Sequence, residues 1–180
     1  MNKLALALSA ALTLGAVSAA NAQSGQINFT GEIAATTCSI DFSGIGGSGS
    51  SPTITLPKLA AASLGAAGAV AGNTPITLTV GNQTGCDVGT ATLELNPNRA
   101  ASVTNGRLNN LTAVDDAAKN LQVQMRDADD KVIDLTSPWL SAPIDLTTGK
   151  VLKFSAEYYA TDAVTAGELS SNVQYTMNYR

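Results

Sequence analysis

Residues 173–179 read Val-Gln-Tyr-Thr-Met-Asn-Tyr, so every second position is apolar or aromatic. Val173, Tyr175, Met177 and Tyr179 share one face of an extended chain, the period-two pattern of a strand with one buried side. A strand of this length needs a hydrogen-bonding neighbour on each flank, or it presents an open edge. In the sequence no turn and return strand follow Tyr179; only Arg180 does. By itself the pattern fits an ordinary edge strand of a complete sandwich; the other reading is an edge whose missing neighbour another chain supplies, as in β-augmentation.

The other end of the sequence sets the compartment. Lys3 precedes an apolar run, Leu4 to Val17, and Ala20-Asn21-Ala22 places small residues around a cleavage point. This is the layout of a secretory leader over residues 1–22. The run falls short of the roughly 18 apolar residues that a membrane span requires. The mature chain then starts at Gln23, and residues 23–180 suit one domain with its own core. Ten basic residues face fourteen acidic ones, and loss of Lys3 with the leader makes the balance more acidic still. Phosphate binding needs a basic face, so nucleic acid is not an expected partner. An exported chain with two cysteines, Cys38 and Cys86, and no histidine to share a metal site reads as one carrying a single disulfide.

Short alternating runs recur between turn-rich stretches. Ile27, Phe29 and Ile33 share a face in the first, and the pattern returns at 53–56, 76–80, 90–95, 121–125 and 152–160. Gly, Ser, Asn and Pro separate these runs, and the spacing predicts an all-β sandwich. Residues 58–72 are Ala-rich but hold Gly65, Gly68 and Gly72, so they read as a crossing loop with at most one helical turn. Residues 115–120 read in the same way.

Little here supports catalysis, and the chain reads as a non-enzyme. With no histidine, general base work would fall to carboxylate, Lys or Tyr, and no serine sits in a nucleophile elbow. Asp127, Asp129, Asp130 and Asp134 lack the Gly and distal Glu of a calcium loop and read as a solvated turn. No metal site and no cofactor are expected. Asn28, Asn82 and Asn110 each begin a glycosylation-like triplet to which no function is attached. Trp139, the one tryptophan, reads as a packing residue ahead of a sugar-stacking one.

Taken in order, the leader, residues 29–40, Cys86, residues 121–135 and residues 153–179 resemble the type 1 fimbrial major subunits of Gram-negative bacteria. The resemblance covers essentially the whole mature chain. It implies an incomplete immunoglobulin-like sandwich that lacks its seventh strand and is completed by a donor strand from a neighbouring subunit. It implies a structural role in a pilus shaft that supports cell adhesion. The partners implied are further copies of the pilin, a periplasmic chaperone, an outer-membrane usher and, through the assembled fimbria, a host surface. Export would run through the periplasm to the cell surface.

In that family an alternating N-terminal extension is the donor, which here corresponds to Gln23, Gly25, Ile27 and Phe29 within residues 23–37, ahead of a pilin domain over 38–180. The family's chaperone-recognition end has a penultimate Tyr and a Gly fourteen from the end, matched by Tyr179 and Gly167, with Val173, Tyr175 and Met177 between them. Two other readings stand beside this one: a minor or adaptor pilin, and a self-complete secreted sandwich that binds carbohydrate.

Overall fold

Alternation in the sequence becomes strand wherever a partner lies within reach. The computed structural model describes residues 38–43, 51–81, 86–87, 89–99, 102–113 and 115–180. The leader, the extension over 23–37 and its residues Gln23, Gly25, Ile27 and Phe29 lie outside the described residues, so the structure says nothing of them.

Ten strands follow along the described chain: β1 (Ile40–Ser43), β2 (Val70–Val80), β3 (Thr90–Asn96), β4 (Val103–Thr104), β5 (Arg107–Asn109), β6 (Leu121–Arg126), β7 (Trp139–Leu140), β8 (Ile144–Asp145), β9 (Val151–Ala160) and β10 (Gln174–Tyr179). Every ladder between them is antiparallel. One sheet has the order β1-β2-β9-β6-β5-β4, and the other has β10-β3-β7 with β8 also paired to β3.

The inner faces carry the core. Ile76, Leu78 and Val80 of β2, Leu93 and Leu95 of β3, Val123 and Met125 of β6, and Leu152, Phe154 and Ala156 of β9 fall in one buried cluster. Register puts Leu78 opposite Leu152 and Met125 opposite Ala156 in the first sheet, and Tyr175 opposite Leu95 in the second. Each fully buried Leu or Ile contributes about 1.5–3 kcal/mol. The result is the all-β sandwich that the alternation predicts. Cys38 and Cys86 are bonded, with Cα atoms 5.7 Å apart, and tie the start of β1 to the chain entering β3.

The outer face of the larger sheet is also covered, by polar side chains. Gln122, Gln124 and Glu157 are buried there. Glu157 accepts from Gln124 Nε2 at 2.7 Å and from Arg126 Nε at 2.6 Å. Arg107 Nε donates to Gln124 at 2.8 Å while its guanidinium lies 3.7 Å over the Tyr159 ring. Buried polar groups satisfied in this way avoid the penalty of an unpaired one.

Two expectations need adjusting, at residues 53–56 and 58–72. Residues 53–56 are extended with alternating exposure but join no ladder among the described residues, so they are not a strand. The Ala-rich loop contributes one 3-10 turn, Ala61–Leu64, and its last residues already belong to β2. Gly72 permits that with φ near +74° at a register shift between Ala71 and Thr74. Residues 115–120 form a turn with no helix, and Ala117 bridges to Glu168. The acidic run is a turn in the structure as well: Asp127 Oδ1 accepts from the amides of Asp129 and Lys131, both at 2.9 Å.

Candidate functional site

β10 is an edge strand of its sheet among the described residues, paired to β3 alone. Tyr, Thr and the unbranched Met suit a pleated, half-buried surface. Val173, Tyr175 and Met177 pack against the core while remaining partly accessible. Tyr179 is 37 % exposed, and its hydroxyl donates to the Cys38 carbonyl at 3.5 Å. Arg180 exchanges two main-chain hydrogen bonds with Thr90, each 2.8 Å. Gly89 leaves no space for a Cβ because the Arg180 carbonyl sits against it. Burial raises the Tyr175 phenol above its ordinary value, and burial followed by the charge of Tyr175 does the same for Tyr179.

Beside β10 the two sheets part. A groove of about 980 Å³ opens there, with residues 51–56 along one side and residues 169–175 along the other. Its floor comes from both sheets: Leu93 and Leu95, Leu108, Val123 and Met125, and Phe154. Phe42 of β1 also lines it and meets Tyr175 edge-on, ring centroids 5.4 Å apart at 69°. Ile54 and Leu56 lean onto the core from one wall, and Leu169 and Val173 from the other. Among the described residues no charged one lines it. Past Tyr158 and Leu169 it adjoins a smaller hollow of about 220 Å³.

The two walls explain what such a groove accepts. Residues 51–56 and 169–173 alternate between exposed and partly buried positions, as a strand does, yet neither segment belongs to a ladder among the described residues. The wall of six residues spans about 20 Å at 3.3 Å per residue, the reach of one short strand. A suitable occupant is an extended, uncharged segment with alternate side chains directed to the core and main-chain groups directed to the walls.

The terminal residues singled out in sequence therefore separate. Val173 and Tyr175 line the groove, Met177 packs on the core beyond it, and Tyr179 reaches the Cys38 carbonyl. Gly167 lies outside β10, where the chain crosses residues 116–118. Phe42, Leu169 and the wall at 51–56 were missed as site residues; the one signal for the wall was an alternating run with no partner. Trp139 is half-buried in β7 and packs on the core. Among the described residues no group of three or more His, Cys, Asp or Glu is arranged to hold a metal, and no helix is long and apolar enough to cross a membrane.

Comparison with known proteins gives a consistent result. The sequence profile described as "Fimbrial protein" matches residues 27–180. The major fimbrial subunit SMF-1 of Stenotrophomonas maltophilia (strain K279a) is 33 % identical over 171 residues, covering 89 % of this chain and 95 % of the relative. The F17 fimbrial protein of Escherichia coli is 32 % identical over 180 residues, covering 94 % of each chain. Among solved structures, a Burkholderia pseudomallei antigen and type I fimbria protein superposes with a TM-score of 0.54 at 18 % identity, over 79 % of this chain and 96 % of that one. The P pilus rod subunit PapA superposes with a TM-score of 0.50 at 19 % identity, over 86 % of this chain and all of that one. These two likenesses show the sandwich fold.

Proposed function

Because the chain belongs to the fimbrial protein family, a family of structural subunits, we propose that it forms a pilus shaft by donor-strand exchange. The observation that carries this reading is the groove of about 980 Å³ beside β10, whose walls at 51–56 and 169–173 join no ladder among the described residues. The donor is the extension of a neighbouring copy, with Gln23, Gly25, Ile27 and Phe29 facing the groove. Gly25, Ile27 and Phe29 match its apolar floor, and no charged side chain falls within residues 23–29. A relative that is a major fimbrial subunit favours the shaft over a minor or adaptor position.

The energetics suit a polymer. Six paired residues form about six main-chain hydrogen bonds, each contributing a net 0.5–1.5 kcal/mol. Apolar side chains add roughly 25 cal/mol for each Å² taken from water. Dissociation is then slow. Until a neighbour arrives, the exposed groove is an aggregation hazard. A periplasmic chaperone covers it after the leader over residues 1–22 is removed, and an outer-membrane usher exchanges that cover for residues 23–37 of the next subunit. The site of action is a fimbrium on the cell surface, where the assembled fibre meets other surfaces.

Material sheared from cells and run on an SDS gel, with and without heating in acid, tests this. The expected result is a ladder stepping by one mature subunit that collapses to monomer after acid heating. Phe29→Asp, which places a carboxylate against an apolar floor, is expected to abolish the ladder. A single monomer band in both lanes from the parent chain means that the fold completes itself, and a secreted carbohydrate-binding sandwich then replaces the pilin reading.

A further inference from the structure

The groove wall from Leu169 to Val173 is extended yet sits in no strand ladder, so other contacts must hold it in place. They converge on one side chain. Asn110 Nδ2 donates to the carbonyls of Ala118 at 2.9 Å and Glu168 at 2.8 Å. Its Oδ1 accepts from the amides of Thr112 and Ser170, both at 3.1 Å. A primary amide has two donors and two acceptor lone pairs, and here all four are used. Three separate stretches of chain, at 112, 118 and 168–170, are fastened by this one group.

Main-chain bonds continue the lacing on either side. Leu111 N–H donates to Ser170 at 2.7 Å, Ala118 N–H to Glu168 at 2.9 Å, and Glu168 N–H to Asp116 at 2.7 Å. The Ser171 hydroxyl donates to the Asn109 carbonyl at 2.9 Å. The wall is thus anchored along its outer side, which leaves its groove side to a visiting strand.

We infer that Asn110 is a positioning residue for strand capture, holding the 168–171 segment in its receptive geometry before a donor is present. This rests on the groove being a donor-strand site. A preformed wall spares the incoming strand the entropy of ordering it, so the effect falls on capture more than on the stability of the sandwich. It also gives the triplet Asn110-Leu111-Thr112 a use within the fold, since the Asn110 amide is fully engaged.

The test uses the mature chain, residues 23–180 with its disulfide, mixed with a fluorescent peptide of residues 23–33. Capture is followed by anisotropy, and amide hydrogen exchange is read by mass spectrometry. Asn110→Asp keeps the size and the acceptors but sets oxygen against the Ala118 and Glu168 carbonyls. Capture is expected to slow by about tenfold or more, the scale of two lost hydrogen bonds. Faster exchange should be confined to residues 167–173. Thr112→Val is the control: the Thr112 hydroxyl is buried without a hydrogen-bond partner among the described residues, so capture should match the parent. Equal capture by Asn110→Asp and parent overturns the inference. So does exchange that rises equally in β3, β6 and β9, which would mark a general loss of stability. Failure of the parent chain itself to capture the peptide is a different outcome and sinks the groove reading first.

Discussion

Gly167→Ala is the sharpest test of how the subunit itself is built. A Cβ at Gly167 would lie 2.7 Å from the Ala117 carbonyl carbon and closer still to the Asp116 carbonyl oxygen and the Ala118 nitrogen. All three are main-chain atoms, so no side chain can swing aside. The φ of Gly167 is outside the left-handed region, which leaves space, not backbone conformation, as the cause. Relief requires the 116–118 and 167–168 segments to separate. That strains the bonds from Ala118 N–H to Glu168 at 2.9 Å and from Glu168 N–H to Asp116 at 2.7 Å.

Overpacking costs about 1–3 kcal/mol, and two weakened hydrogen bonds add about 1–3 kcal/mol. The sum, about 2–6 kcal/mol, is a large part of the 5–15 kcal/mol that holds a typical domain together. At about 2–4 °C per kcal/mol for a chain of this size, the thermal midpoint of the mature subunit should fall by roughly 5–20 °C. Gly149→Ala serves as control, because its Cβ meets only the Asp145 carbonyl, at an ordinary 3.5 Å. A Gly167→Ala midpoint within about 2 °C of the parent refutes the steric argument. Gly167 would then matter only to whatever binds this end of the chain.

Three further outcomes follow from the same geometry. Cys38→Ser with Cys86→Ser opens a loop of sequence separation 48 and should lower stability by about 4 kcal/mol on the chain-entropy account, read by guanidinium unfolding under oxidising conditions. Glu157→Gln weakens charge-assisted bonds to Arg126 at 2.6 Å and Gln124 at 2.7 Å. With the Arg126 side chain 22 % exposed, the loss should be about 1–3 kcal/mol, and an unchanged unfolding midpoint would show that the outer network adds nothing. Tyr158, Tyr175 and Tyr179 all have phenols raised by burial, so the fold favours their neutral forms. Their contribution is complete below the unfolded value near 10 and is lost as pH rises through the higher folded values. Alkaline unfolding followed at the tyrosinate absorbance should therefore start above about pH 10, and Tyr179→Phe should shift it upward.

Some of this protein was decided by its sequence alone, because the relevant physics is local. Period two over 76–80, 90–95, 121–125 and 152–160 marks which face joins the apolar core before any partner is known, and each of those runs lies in a strand of the sandwich. Two cysteines in a sequence that reads as exported and holds no histidine point to one bond, and Cys38 is bonded to Cys86. Turn chemistry at 127–131 is also local: an Asp side chain caps its own following amides.

Pairing is different, because a ladder exists only between segments that the whole fold brings together. Residues 53–56 alternate as well as 76–80 do, yet among the described residues only the second finds neighbours, β1 and β9. Nothing within a few residues of Thr53 distinguishes the two cases. The groove takes its walls from positions more than a hundred residues apart, and among the described residues neither 51–56 nor 169–173 joins a ladder. Asn110 and Gly167 belong to the same class. In sequence one only begins a triplet with no function attached and the other matches a recognition signal, and only the crossing of 109–118 over 167–171 turns them into a clamp and a point of closest approach. Local periodicity determined which faces are buried; long-range chain crossings decided where the sandwich stays open.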